Sequence, residues 1–145
     1  MTEEEITRER ILNAYHTVAI VGLSPDETKP SNEVARYMIN HGYNVIPVNP
    51  TAPEILGKTS YANLSAVPQP VEVVDIFRAS DKVGPIVDEA IKIKAKVVWM
   101  QEGVINEEAA TKARAAGLMV VMNSCIKKDH MRLIHGEDPD KLEDD

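Results

Sequence analysis

The chain has 145 residues, 43% of them hydrophobic and 27% charged, with a net charge of −7. That is one domain's length with enough apolar side chains for a core, and it excludes collagen-like, disordered and membrane-embedded classes. The acidic balance also argues against nucleic-acid binding, which needs Lys and Arg to neutralise phosphates, but it tolerates an anionic ligand where a few cations and backbone N–H groups converge.

No apolar run approaches the roughly 20 residues that span a bilayer. The start, Met1-Thr2-Glu3-Glu4-Glu5, is acidic and no apolar stretch follows it, unlike a secretory signal. The single cysteine, Cys125, has no disulfide partner within the chain. A reducing cytoplasm and no membrane are therefore expected. Gly136 to Asp145 is an acidic tail, expected to be a solvated end.

A helix is predicted from Thr2 to Tyr15. Thr2 caps it, Glu5 completes a capping box, and Ile6, Ile11, Leu12 and Tyr15 are its packed side. Thr17 to Gly22 is a continuous apolar run closed by glycine, which reads as a buried parallel strand. Ser31 to His41 is a helix with Val34, Tyr37, Met38 and His41 on one face, stopped by Gly42. Tyr43 to Val48 is a second strand, closed by Pro47 and Pro50. Thr51 to Pro70 is irregular, with short helical turns expected near 54–56 and 61–65. Glu72 to Phe77 is a third strand and Ser80 to Ile93 a helix. Lys96 to Gln101 is a fourth strand. A helix capped by Asn106 and ended by Gly117 follows, then a fifth strand from Leu118 to Met122 and a last helix from Lys127 to His135.

Alternation of strand and helix predicts a single α/β domain, a Rossmann-like doubly wound parallel sheet of five strands. Right-handed crossovers favour the strand order 3-2-1-4-5. Ligands of such sheets bind beyond the carboxyl ends of the strands, at the switch point, so the residues after each strand matter most.

After the first strand, Gly22 permits close backbone approach, Ser24 offers a hydroxyl, Lys29 a charge, and the helix start near Ser31 and Asn32 a set of free N–H groups. An ordinary strand–helix loop would look the same. The G-x-G-x-x-G fingerprint is absent, and Asn49 stands where an acid would hold a ribose, which disfavours NAD. The P-loop and the G-x-S-x-G elbow are absent too. After the third strand stand Arg78, suited to phosphate or base stacking, and Lys82. Gln101, Glu102 and Gly103 follow the fourth strand, and Asn123, Ser124 and Cys125 the fifth. Cys125 reads either as a buried inert thiol or as one activated by Lys127 and Lys128. Trp99 reads as core. His16, His41, His130 and His135 lack metal spacing; His41 reads as a helix C-terminal cation, His130 and His135 as a surface pair.

The segments Val-Gly-Leu-Ser-Pro25, Lys-Pro-Ser31, His-Gly-Tyr43, Val-Ile-Pro-Val-Asn-Pro50, Ile-Leu-Gly57, Asp-Ile-Phe-Arg78, Val-Val-Trp-Met-Gln101 and Ala-Gly-Leu118 occur in order. Together, from about Ile11 to Leu133, they resemble the stand-alone CoA-binding proteins, whose domain is similar to the CoA-binding domain of the succinyl-CoA synthetase alpha chain. The resemblance implies coenzyme A as cofactor. It implies that Gly22, Leu23, Ser24, Lys29, Pro30, Ser31 and Asn32 hold the pyrophosphate. Pro47, Val48, Asn49 and Pro50 would line the adenosine side. Phe77 and Arg78, with Lys82 near them, would flank the adenine or ribose phosphate, and Gln101, Glu102 and Gly103 would face the pantetheine. The synthetase's second domain and its phosphorylated histidine have no counterpart, so ligase activity of this chain alone is not expected. The expectation is a binder of CoA or an acyl-CoA acting as carrier, sensor or partner module, as a homo-oligomer or with a partner enzyme. Two alternatives stay open: a mixed disulfide between Cys125 and CoA, and an NAD(P)-type sensor.

Overall fold

The computed structural model describes residues 1–140, so the last five residues of the expected acidic tail lie outside the described residues. In chain order the elements are α1 (Glu3–Ala14), β1 (Thr17–Val21), α2 (Pro30–Asn40), β2 (Asn44–Val48), β3 (Glu54–Ile55), β4 (Lys58–Thr59), β5 (Val73–Ile76), α3 (Val83–Lys92), β6 (Val97–Met100), α4 (Glu107–Ala115), β7 (Met119–Val121) and α5 (Ile126–Leu133). A parallel sheet runs in the order β2-β1-β5-β6-β7, and β3 and β4 pair separately as an antiparallel hairpin.

The central strands are apolar on both faces because both faces are covered. On one side Val74, Ile76, Val98 and Met100 pack against Val83, Val87 and Ala90 of α3 and the alanines Ala109, Ala110 and Ala113 of α4. On the other, Ile20, Val73, Val97 and Trp99 meet Ile11 and Leu12 of α1, Val34, Ala35 and Met38 of α2, and Ile126 of α5. This is the expected doubly wound class. The capping box of α1 is present in full: Glu5 N–H donates to the Thr2 hydroxyl and Thr2 N–H to the Glu5 carboxylate. Ile6, expected on the packed side, is exposed.

The strand order differs from the expectation. Counting the five sheet strands along the chain, it is 2-1-3-4-5: the third strand, β5, pairs with β1 and not with β2. The cause is visible in β2 itself. Pro47 has no N–H and cannot feed a ladder on both sides, so a strand that carries it belongs at an edge. The outer edge of β2 is closed by a short bridge instead, in which Tyr61 N–H donates to Pro47 O at 3.1 Å and Asn49 N–H donates to Tyr61 O at 2.8 Å. The expected helical turn at 54–56 is also replaced. Leu56 and Gly57 both have positive φ, 55° and 72°, the conformation of a two-residue primed hairpin turn, and they join β3 to β4. A 3-10 turn at Leu64–Ala66, capped by Asn63, stands near the second expected turn.

The corrected order places the switch point between β1 and β5. Gly22 has φ of +88°, and a Cβ built there would stand 2.4 Å from the Phe77 carbonyl oxygen. Only glycine lets the ends of these two strands approach so closely. Gly22→Ala therefore meets both a left-handed backbone and a backbone clash, and is expected to cost at least about 2 kcal/mol. Urea unfolding monitored by circular dichroism measures this, and wild-type stability in the variant would contradict it.

Candidate functional site

Above the switch point the loops following β1, β5 and β6 come together. The first is built from its own hydrogen bonds. Ser24 N–H donates to Ser31 Oγ at 2.9 Å, Asn32 Nδ2 to Ser24 O at 2.9 Å, and Asp26 N–H to Ser24 Oγ at 3.1 Å. Arg36 braces the outside through Asn32 Oδ1 and Glu27 O, at 2.9 and 3.0 Å. From β2, Asn49 Nδ2 donates to Leu23 O at 2.9 Å while its Oδ1 accepts from Thr51. The side chains of Ser31, Asn32 and Leu23 are buried, as are Pro47 and Val48 in β2. These residues shape the turn; they do not offer side chains to its outer surface.

What the edge presents is different. The side chains of Lys29, Pro30, Pro50, Arg78 and Lys82 are exposed, and those of Ser24, Asn49 and Phe77 half-buried. Helix α2 begins with Pro30 and has no side-chain cap, so the positive end of its dipole faces the loop. The stem of Arg78 lies across Gly22, its Cδ being 3.0 Å from a Cβ built there. Arg78 and Lys82 make no ion pair or side-chain hydrogen bond among the described residues. Lys29 has Asp26 nearby, whose carboxyl is held low first by Thr28 and then by that lysine.

The β6 loop turns inward. Gln101 is buried and its Nε2 donates to Asp75 Oδ1 at 2.6 Å. Glu102 pairs with Lys128 at 3.3 Å, and Gly103 N–H donates to Asn123 Oδ1 at 2.7 Å. Asp75 was not singled out from the sequence, though an acid inside the run Val73-Val74-Asp75-Ile76 was a readable signal. It is fully buried in β5 and its Oδ2 has no partner. Burial pushes its pKa up to about 8, with the Gln101 hydrogen bond pulling back, so the carboxyl is neutral at pH 7.

Cys125 stands at the start of α5 and is half-buried. Of the two readings of Cys125, its surroundings favour the buried, unactivated thiol. Burial pushes the thiol pKa up, and Asp75 and Glu102 add to that. Lys127 and Lys128 direct their ammonium groups to Glu33 and Glu102. Trp99 is core, as expected, with Nε1 donating to Ser124 O at 2.8 Å. His130, read as half of a surface pair, is buried and hydrogen-bonded to Tyr37 at 2.8 Å. Among the described residues no group of three His, Cys, Asp or Glu is arranged to hold a metal ion, and no helix is long and apolar enough to cross a membrane. A cavity of about 560 Å³ lies elsewhere, along the free edge of β7 beside Glu3, Thr7 and Arg114.

Residues 16–131 match the family model described as CoA binding domain. The chain is 37% identical over 120 residues to the uncharacterized protein YneT of Bacillus subtilis, covering 83% of this chain and 89% of that one. A hypothetical protein from Pyrococcus horikoshii superimposes with a TM-score of 0.88 at 40% identity, over 92% of this chain and 93% of that one. A dinucleotide-forming acetyl-coenzyme A synthetase of Ca. Korarchaeum cryptofilum matches with a TM-score of 0.67 at 30% identity, over 74% of this chain but only 26% of the synthetase.

The buried acid gives the fold an alkaline weakness. Asp75 binds its proton more tightly folded than unfolded, so its contribution is complete below the ordinary carboxyl pKa and is lost as pH rises toward about 8. Asp75→Asn keeps an acceptor for Gln101 and cannot ionise. Thermal melts between pH 5 and 9 are expected to fall for the wild type and to stay flatter for the variant. Parallel curves would remove the assignment.

Proposed function

Because the chain belongs to the CoA binding domain family, we propose that it binds coenzyme A or an acyl-CoA at the carboxyl edge of its sheet, as a carrier, sensor or partner module without a reaction of its own. The observation that carries the reading is the pairing of an uncapped α2 N-terminus with the uncommitted Arg78 guanidinium lying over Gly22. Backbone N–H groups at a helix start suit a pyrophosphate, and a planar guanidinium suits a phosphate fork or the face of a base. Lys82 and Lys29 add positive charge on the same edge. Phe77 and Pro50 offer apolar surface beside them, with Asn49 holding the β2 side in place through Leu23 and Thr51.

Groups fit for proton or thiol chemistry stand back from this edge, which supports binding without catalysis. Asp75 is neutral and sealed, Gln101 is turned toward it, and the Cys125 thiol is held protonated. The occurrence of a similar domain as about a quarter of a longer synthetase supports the partner-module version, in which a second protein supplies the chemistry.

Isothermal titration of the protein with CoA tests the reading. Saturable binding is expected, unaffected by excess NADH. Arg78→Glu is expected to weaken it by at least about tenfold, since a charge-assisted hydrogen bond contributes about 1.5–3 kcal/mol, with the melting temperature unchanged. No heat and no thermal shift at millimolar CoA would refute the proposal.

A further inference from the structure

All four histidines of the chain meet at one end of the molecule, although they come from distant segments. His16 precedes β1, His41 ends α2, His130 lies in α5 and His135 just follows it. His130 is central and 4% exposed. Its ring centroid is 5.3 Å from that of His41, 5.1 Å from His135 and 5.5 Å from Tyr43, and its Nδ1 is 2.8 Å from the Tyr37 hydroxyl. His41 stacks on Tyr37 at 3.9 Å and His16 on Tyr43 at 4.9 Å.

The other groups facing the cluster are few. On and beyond α5 they are Lys127, 5.8 Å over the Tyr37 ring, then Asp129, Arg132 and Glu137, whose charge reaches Tyr37. From α1, Arg8 forms an ion pair with Asp129 at 3.2 Å and Glu5 stands near Arg132. Just before β5, Glu72 accepts the His16 backbone N–H at 3.0 Å. Asp129 is already committed to Arg8, Arg132 and the Ser124 hydroxyl. Glu5 is engaged by the Thr2 cap and Glu72 by the backbone N–H groups of His16 and Thr17, and Glu137 makes no ion pair among the described residues, so no carboxylate is paired with the His130 ring.

Helix α5 runs from this cluster to the opposite edge. Its first turn follows Ser124 and Cys125 directly. Lys127 reaches Glu33 in the first turn of α2 at 2.7 Å, and Lys128 reaches Glu102 after β6. The Trp99 indole ties Ser124 to the sheet. A movement of α5 is therefore felt at both edges.

We propose that the histidine cluster is an acid-sensitive latch that holds α5 against α2, and that its protonation loosens α5 and with it the ligand-binding edge. The second half rests on the CoA reading above; the first does not. Burial, then His135, His41 and His16, push the His130 pKa from 6.5 down to about 4. A histidine with a lowered folded pKa contributes fully above its unfolded value and loses that contribution as pH falls toward the folded one. Release of α5 frees the ring to take a proton at its ordinary pKa, so protonation and release drive one another.

Trp99 is the chain's single tryptophan and is fully buried, so its fluorescence reports on the Ser124 end of α5. The experiment titrates the tag-free protein from pH 7.5 to 4, following that fluorescence, far-UV circular dichroism and hydrogen exchange of α5. The expected result is a red shift, with α5 exchange protection falling by about tenfold, at a pH above the one where the dichroism of the sheet collapses. His130→Gln keeps a hydrogen-bonding partner for Tyr37 and carries no charge, and is expected to move that first step about one pH unit lower or remove it. The double change His41→Gln with His135→Gln touches only exposed rings and is expected to shift the step in the same direction, which keeps the test open should His130→Gln not fold. CoA affinity is expected to match across all three proteins at pH 7.5 and to drop at pH 5 in the wild type most. A single step seen together by all probes, at the same midpoint in wild type and variants, would overturn the latch. Failure to bind CoA at pH 7.5 would instead sink the CoA reading and leave the α5 measurement standing.

Discussion

The end of β1 and the end of β5 approach so closely that nothing larger than a hydrogen atom fits at Gly22 opposite the Phe77 carbonyl. Much of the molecule follows from that contact. It makes β1 and β5 neighbours, sets the switch point between them, and lays the stem of Arg78 across the turn that opens toward α2. The glycine was expected to make room for a ligand. In the structure it makes room for the protein's own backbone, and any ligand-facing geometry is a consequence of that packing.

The chain arrangement around the contact is preorganised by short, local hydrogen bonds. Ser24, Ser31, Asn32 and Asn49 exchange bonds with backbone groups of the same or adjacent loops. Each satisfied donor removes a group that would otherwise need water, and each buried side chain fixes a loop that would otherwise be mobile. A turn held in this way leaves less ordering for a ligand to impose, and association loses less affinity to entropy.

Element existence was legible because the signals were local. Apolar runs of four to six residues bounded by glycine, the Thr2–Glu5 capping box and the Asn106 cap all survive in the structure. Strand order was not read correctly, because crossover handedness alone leaves two arrangements open; the discriminating residue was Pro47, whose missing N–H confines β2 to the edge. The site was legible only as a set of strand ends. Which of those residues face outward depends on loop bonding that a sequence does not display: the side chains of Ser31, Asn32 and Gln101, expected at the ligand, are buried and bonded within the protein, which leaves the backbone N–H groups of the α2 start as what Ser31 and Asn32 can offer. The histidine cluster was invisible for a related reason: positions 16, 41, 130 and 135 acquire meaning only once α2 and α5 lie side by side.

The charge distribution resolves the tension between an acidic chain and an anionic ligand. A net charge of −7 acts weakly at a distance, since exposed charges are screened over about 8 Å at physiological ionic strength. What a ligand meets is the local field. At the carboxyl edge the acids Glu33 and Glu102 are occupied by Lys127 and Lys128, Asp26 by Thr28 and Lys29, and Asp75 is neutral. Arg78, whose stem lies across Gly22, and Lys82 make no ion pair among the described residues. The two lysines of α5 thus act indirectly: by engaging acids that would repel a phosphate, they leave the edge more positive than the whole chain is. That arrangement holds only while α5 stays seated, which ties the electrostatics of one edge to the packing of imidazoles at the other.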